Sequence, residues 1–583
     1  MKVLIRVKII CKYYKENIDN VFSFFLCYYI HNGGYMKRDK TMYKNSFVKG
    51  AVITTVGIVI TKLLGILYVI PFHAIIGEKG GALYGYAYTI YLIFMSLSSA
   101  GIPLAMSKVI SEYQTLGYLN AKKRAFNLGR KIALLMGLLC FVILSLFAPY
   151  IAKFVLGDLT GGNTIEDVTF VIRIISTAIL VVPVLSVYRG FFEGHRIMTP
   201  PSISQIIEQI VRVVVIVLGS YLVINVFKLS LSDAVGLAVF GATAGALSSY
   251  IYLAIKRLKN KKKFNTVPDK VNEPIISDKV ILKKIIIYAI PFIMIDIFKS
   301  MYSYVDMVTV VKGLVKHAQY TTSTAESIMS MLSTWGAKFN MILLSVSTGV
   351  IVSLIPSLTK SIVEKDNDEV ENKINQALSM ILYLMIPMTV GISFLARPIW
   401  NLFYGSSFYG SSVLAYYIFV GLMSGLFTVL ITTVQVLKDY KGVFIALISG
   451  LLIKRIFNVY LIKLFYSYGV APYYGVITSS ILGYLVSISI CIYIISHKYN
   501  VNFEKTMKNM VDVVVGIVIM LVVLFIVYLV VPIYSDNRIV CLGIIVIYAL
   551  FGAVTYLLYT YKSKTIKNIF GNKLEKLFIK KSN

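Results

Sequence analysis

Residues 189–212 read RGFFEGHRIMTPPSISQIIEQIVR. Apolar runs flank this stretch on both sides, yet it holds Arg189, Glu193, His195, Arg196, Glu208 and Arg212. A charged side chain at the centre of a membrane helix costs about 2.5–3.5 kcal/mol on insertion scales. Charge kept in such a setting marks a solvated path through a membrane. Pro200-Pro201 suit the first turn of a helix, where the backbone N–H has no partner to lose. Arg189 to Arg196 therefore reads as a short hairpin at the inner surface, its groups interfacial and placed to gate that face. Glu208 and Arg212 lie about two to three turns deeper, four apart on one helical face. They are either a self-satisfied pair or part of a site.

Outward from this stretch the chain is apolar throughout. Of its 583 residues, 57% are hydrophobic and only 15% charged; a soluble domain is about 25% charged. Fourteen apolar segments can be drawn, each near the ~20 residues a membrane helix needs. They span roughly 50–76, 83–106, 132–156, 168–189, 201–227, 233–255, 285–311, 328–357, 377–396, 411–437, 442–465, 470–496, 510–533 and 538–561. The fold class is an all-α polytopic membrane protein with about fourteen transmembrane helices.

An even number of spans puts both termini on one side. The gaps on that side hold about 38 Lys and Arg, those on the other about 7. Basic gaps stay in the cytoplasm, so both termini are cytoplasmic and the membrane is the plasma membrane. The net charge of +31 thus points to anionic lipid headgroups, not nucleic acid. Tyr and Phe near the span ends read as interface anchors. Cys11, Cys27, Cys140, Cys491 and Cys541 show no CxxC spacing and read as unpaired.

Six spans lie on each side of a polar gap, 256–284, that reads as a cytoplasmic linker. The organisation is an N-terminal bundle (36–255), the linker, a C-terminal bundle (285–497), an extra helix pair (498–561) and a basic tail (562–583). The halves resemble each other locally. APYIAKFVLG (148–157) matches ARPIWNLFYG (396–405), SSAG (98–101) matches STG (347–349), and Lys62 has a counterpart in Lys299. A parallel pseudo-repeat of this kind makes a transport path at its interface.

Several ionisable groups fall within spans. Lys62 sits mid-span, too deep to snorkel, and faces water, an anion or an acidic partner. Asp296, Lys299, Ser303 and Asp306 follow helical spacing and form one stripe. Asp296 and Lys299 either neutralise each other or line a cavity; Asp306 is left as a proton or sodium site. Lys338, Lys454 and Arg455 have no acidic partner close in sequence. Lys62, Arg189, Arg212, Lys299, Lys338, Lys454 and Arg455 are therefore expected to line one cationic cavity for an anionic cargo such as a pyrophosphate. Glu208, Asp296 and Asp306 are expected to balance charge or couple an ion.

Enzyme signatures are missing. There is no GxxxxGK[ST] loop and no HExxH or His/Cys cluster. His31, His73, His195, His317 and His497 read as interfacial or terminal groups. No catalytic residue, metal or cofactor is expected.

The 189–212 stretch resembles the segment after span four in the stage V sporulation protein B group of polysaccharide-biosynthesis flippases. KGAVITTVGIVITKLLGILYVIPFHAIIG (49–77) and SLSSAGIPLAMSKVISEYQTLGYLNAKKRAFNLGR (96–130) are similar to that group as well. It belongs to the multidrug/oligosaccharidyl-lipid/polysaccharide exporter superfamily, with lipid II flippases as relatives. The resemblance covers essentially all of residues 36–583. It implies two six-helix bundles around a central cationic cavity, and alternating access that moves a polyprenyl-linked sugar between leaflets. It also implies a lipid-tail groove on the last two spans, and cell-wall or spore-envelope synthesis proteins as partners. Relatives often carry a basic residue where this chain has Val69, so the lipid II flippase's arginine set does not transfer directly.

Two other functions compete. A cation-coupled multidrug antiporter of the same superfamily needs an acidic cavity, which the basic excess disfavours. A sporulation or division scaffold needs no cavity at all. A membrane glycosyltransferase would need a sizeable external loop, and the external gaps are short.

Residues 1–35 have a basic start, a short apolar patch and no small-residue cleavage site. Asn32-Gly33-Gly34-Tyr35 precedes Met36, and Gly-Gly codons can spell a ribosome-binding sequence there. Met36 is the expected start. N-terminal sequencing of the native protein checks this, and any native peptide from 1–35 refutes it.

Overall fold

The structure is a computed structural model that describes residues 61–571 except 63, 196 and 265–272. Residues 1–35, Met36, the first part of span one, Arg196 and the tail from 572 lie outside the described residues. Within them every regular element is helical.

In chain order the helices are α1 (Val69–Ser99), α2 (Ile102–Thr115), α3 (Leu119–Leu156), α4 (Ile165–Ser176), α5 (Ala178–Gly194), α6 (Thr199–Val214), α7 (Leu231–Lys259) and the short α8 (Lys261–Phe264). The second half holds α9 (Asp278–Ala318), α10 (Thr322–Ser330), α11 (Gly336–Val363), α12 (Asn367–Phe394), α13 (Ala396–Tyr404), α14 (Gly410–Val436), α15 (Tyr440–Ser467) and α16 (Tyr473–Tyr499). Then come α17 (Glu504–Val530), α18 (Arg538–Lys562) and α19 (Thr565–Phe570). Widened π turns extend α6 over Val215–Gly219 and Leu222–Val226, and join α10 to α11 over Met331–Trp335.

Twelve helical stretches among the described residues are long and apolar enough to cross a membrane. One of them, Leu64–Thr115, covers two of the predicted spans. Gly77 breaks it at φ 62 and ψ −164, a conformation only glycine adopts cheaply. The 41-residue α9 is not among the twelve; it carries Asp296, Lys299 and Asp306 in its middle.

Local chemistry explains the ends. The acidic gap before α4 is a capping box, in which Thr164 accepts from Asp167 N and Asp167 accepts from Thr164 N. Ser230 and Asp233 repeat the device on α7. APYIAKFVLG and ARPIWNLFYG both end on a glycine at positive φ, 67° at Gly157 and 84° at Gly405. The second sequence match diverges in backbone. Gly101 (φ 73) separates α1 from α2, whereas α11 runs unbroken through Gly349.

The halves meet along one seam. α1 and α2 pack on α9, and α1 also packs on α10. A Cβ on Gly101 would lie 2.6 Å from the Ala289 carbonyl, so the backbones touch there. Further along, Gly81 and Gly85, four apart on α1, face Trp335, Ser333 and Thr334. Thr334 Oγ1 donates to Gly81 O at 2.9 Å. Small residues permit such approach where apolar burial supplies little drive. Outside the second half, α17 packs on α12 and α18 on α13. Phe525, Leu529, Ile539 and Leu550 stay more than half exposed on this pair, as suits a lipid-facing surface.

The seam generates a test. A Cβ at Gly81 would sit 2.5 Å from Trp335 Nε1, and Trp335 is fully buried. Gly81→Ala should destabilise the protein by about 1–3 kcal/mol through overpacking. Thermal unfolding in detergent measures it. Gly349→Ala, which meets nothing within 4 Å, should leave the midpoint unchanged or raise it slightly.

Candidate functional site

Arg189 is in the last turns of α5, and α6 carries Glu208 and Arg212 one turn apart. The Glu208 carboxylate takes both guanidinium groups. Its Oε2 accepts from Arg189 and its Oε1 from Arg212, each at 2.6 Å. Arg189 also donates to Ser204 Oγ and Ser249 Oγ, both at 3.2 Å. Ser249 Oγ in turn donates to Ser204 O at 3.0 Å, which ties α7 to α6. The helices come this close because Gly245 leaves room, its notional Cβ 2.6 Å from Glu208 O. Arg212 Nε keeps no partner.

Arg189 therefore joins the deep cluster, although the sequence places it in an interfacial hairpin. α5 continues helical to Gly194, and the connection to α6 shrinks to 195–198. Tyr84, Tyr88 and Tyr91, spaced four and three apart on α1, face Arg212. Tyr84 and Tyr88 stack at 5.4 Å. These rings belong to the interior, not to an interface belt.

The second half contributes Lys338. Its Nζ donates to Tyr68 OH at 3.0 Å and shares the neighbourhood of Tyr88 and Arg212. Lys62 is near enough to repel it. None of the nine ion pairs among the described residues includes Lys62 or Lys338. Arg189 and Arg212 thus share the Glu208 carboxylate, and Glu193 is a second acidic neighbour of Arg189. Lys338 stands beside Arg212, and Lys62 stands beside Lys338. The Arg189, Glu208 and Arg212 side chains are 16–20% exposed.

The other candidates separate from this cluster. Lys454 Nζ lies 2.7 Å from Asp306 Oδ2 and 2.9 Å from Ser480 Oγ. Asn458 donates to Asp306 Oδ1 at 3.1 Å and to Thr309 Oγ1 at 2.8 Å. The lysine and the aspartate neutralise each other across α9 and α15, so Lys454 is not a free cation and Asp306 not a lone carboxylate. The expected single stripe along α9 splits accordingly. Asp296 and Lys299 form no ion pair within 4 Å, yet each is the other's charged neighbour. Asp296 is exposed to water while protein surrounds it on most sides, so it faces a hollow. Arg455 is exposed beside Leu452 and Ile456. One residue past Lys454 is a turn of about 100°, which carries it out of any shared cavity.

A further cross-half contact had no signal in the sequence. Glu326 of α10 is fully buried. It accepts from Asn163 N and Asn163 Nδ2, both at 2.9 Å, and from Tyr86 OH at 3.4 Å. This clasp holds the 157–164 loop at the end opposite the basic gaps. His73, expected at an interface, lies instead between Trp335 and Tyr404, both rings at 4.9 Å.

Residues 47–360 match the family described as polysaccharide biosynthesis protein. The lipid II flippase MurJ of Bacillus subtilis (strain 168) is 32% identical over 92% of this chain and 99% of its own length. The chain belongs to the polysaccharide biosynthesis protein family. Lys62, Arg189, Glu208, Arg212 and Lys338 all fall inside the segment that defines this family, and Lys454 and Arg455 fall outside it. Stage V sporulation protein B of the same organism is 24% identical over 63% of the chain and 68% of its own length. Among solved structures, a lipid II flippase MurJ in an inward closed conformation superposes with a TM-score of 0.65. It covers 88% of this chain and 99% of its own at 16% identity. An inward-facing multidrug resistance MATE family transporter of the MOP superfamily gives 0.59, covering 76% and 98% at 13% identity. These superpositions establish that this family member has the MurJ/MATE fold. The apolar helices and the kinship together make it a multi-pass cell membrane protein.

The cluster makes a prediction about stability. Glu208→Gln leaves two half-buried guanidinium groups without the carboxylate they share. Removing one partner of a fully buried pair costs about 3–5 kcal/mol; with these side chains part-exposed the loss should be about 1–3 kcal/mol. Adding Arg212→Gln should recover part of it. A double-mutant cycle on thermal unfolding reads the coupling.

Proposed function

We propose that this protein is a flippase for a polyprenyl-pyrophosphate-linked oligosaccharide, with lipid II the leading cargo, and that it works by alternating access. The observation that carries the proposal is the run of cations from the Arg189–Glu208–Arg212 triad to Lys338 and on to Lys62, the last two without an acidic partner among the described residues. Such an excess is tolerable in a bundle only when water or an anion fills the space beside it. A pyrophosphate presents several oxygens that Arg forks and Lys ammonium groups match. The tyrosine wall of Tyr68, Tyr84 and Tyr88 offers ring faces and hydroxyls to a sugar.

The family kinship supports this cargo, since the relative that spans the chain end to end is a lipid II flippase. The full topology is fourteen spans. Gly77 divides Leu64–Thr115 into two, and α9 supplies the span whose charges set it apart. Two six-helix bundles, the linker 256–284 and the outer pair α17 and α18 follow, with both termini cytoplasmic by the basic gaps. The equivalent glycine endings at 157 and 405 favour a parallel repeat of the bundles.

On this topology the Glu326 clasp closes the outer end, and the structure is a state shut toward the outside. The headgroup enters from the cytoplasm, meets Lys338 and Arg212, and leaves when the clasp opens and the halves tilt about the α1–α9 seam. The membrane potential is a sufficient driver, worth about 2.3 kcal/mol per charge per 100 mV.

The antiporter alternative shares the fold but wants a negative cavity. Here the one deep carboxylate of α9 near the C-terminal core, Asp306, is already taken by Lys454. Depletion of the protein, in cells lacking any substitute flippase, should make lipid-linked sugars accumulate on the cytoplasmic face. Wild type should reverse this; Lys338→Gln, expressed at equal level, should fall at least tenfold short. No accumulation overturns the flippase reading, and full rescue by Lys62→Gln and Lys338→Gln favours a scaffold.

A further inference from the structure

A second basic site lies outside the central cluster. At the basic end of the N-terminal half, the start of α3 and the ends of α5, α7 and α8 enclose a cavity of about 300 Å³. Lys122, Lys123, Arg257 and Lys261 line it. Its floor is aromatic. Phe191 packs on Phe126 at 4.8 Å and on Phe264 at 5.1 Å, and the Arg257 guanidinium lies 4.1 Å above the Phe126 ring.

Among the described residues the four cations have no counter-ion. None of them appears in the ion pairs among the described residues. Lys122 is 2% exposed, and its ammonium donates only to Gln114 Oε1 at 2.5 Å and to the Phe264 carbonyl at 2.6 Å. Three carboxylates at this end are committed elsewhere, and Glu193 on α5 has Arg189 as its charged neighbour. Glu273 caps the N–H groups of Asn120 and Ala121, Asp278 pairs with Arg124, and Glu112 pairs with Lys284. His195 packs on Phe264 at 4.9 Å, and burial pulls its imidazole down to about 4. It is neutral in the cell, so the charge of the corner is set by the lysines and the arginine.

A buried ammonium short of a counter-charge is costly, and an aromatic floor cannot supply one. A phosphate group can. Its oxygens accept from several lysines and an arginine at once. The cavity volume is at the lower bound of small-ligand sites. The pocket is also distinct from the central cluster. Phe191 is two residues past Arg189 on α5, about 200° around the helix, so the two side chains leave on opposite sides.

We propose that this pocket binds a phosphate-bearing anion and so fastens the start of the inter-half linker to α3. The linker begins at α8, and Phe264 is its buried anchor, held by Lys122. An occupant that bridges Lys123 to Arg257 and Lys261 would brace that anchor. The anion is either a free phosphate compound or the headgroup of an anionic lipid at the same surface.

Hydrogen exchange on the full-length protein tests this. In detergent, inorganic pyrophosphate should slow exchange of the 257–264 amides several-fold and saturably. In lipid nanodiscs, phosphatidylglycerol should do the same if the headgroup is the source, and protection in the discs alone assigns the site to lipid. Lys123→Glu and Asn127→Glu, both at exposed positions of α3, should raise the concentration needed at least tenfold. Lys338→Gln should leave the protection in place. Absence of saturable protection from either probe overturns the proposal. So does equal protection in the two charge-altered chains, or protection lost with Lys338→Gln, which would trace the effect to the central cluster.

Discussion

One carboxylate between two guanidinium groups organises the centre of this protein. Glu208 accepts from Arg189 and Arg212 at 2.6 Å each. The triad joins the end of α5 to the middle of α6, and Ser204 and Ser249 extend it to α7. It also leaves a positive remainder, because the one charge of Glu208 cannot offset two arginines and the neighbouring Lys62 and Lys338. A bilayer makes such a remainder expensive unless solvent or a ligand occupies the adjoining space.

The proposed alternating access requires two halves that separate at either end in turn. The seam suits this. α1 meets the π turn between α10 and α11 at Gly81 and Gly85, and Gly101 meets α9. The polar locks sit at the ends. Glu326 clasps Asn163 at one end; Glu112–Lys284 and Arg124–Asp278 join the halves at the other. The buried clasp is stronger for its desolvation, while the exposed pairs are each worth about 0–1 kcal/mol. The asymmetry fits a state closed firmly on the outer side.

The spans were legible because a bilayer admits almost nothing but apolar helices of a set length. Their ends are set by local chemistry, as in the capping boxes before α4 and α7. The Glu208–Arg212 pair could be seen from its spacing. Arg189 could not, because its partner lies across a hairpin whose length depends on where α5 stops. Lys454 looked unpaired for a similar reason: Asp306 is on another helix, and no periodicity joins them. The tyrosines of α1 were visible at helical spacing, YGYAY and onward, but an interface belt and a cavity wall use the same residue at the same period. What separates them is depth, and depth is a property of the packed bundle.

The contrast between Lys338 and Lys454 carries this one step further. Both are lysines within apolar helices, and both lie in the second half. Lys454 is buried, meets a carboxylate and the Ser480 hydroxyl, and its charge is cancelled on the spot. Lys338 meets a tyrosine hydroxyl, which cannot cancel it, and two further cations in repulsive range. A protein that needed only to bury lysine would resolve the second case as it resolves the first. That it leaves Lys338, Lys62 and Arg212 together and undercompensated is the feature on which the proposed anionic cargo rests.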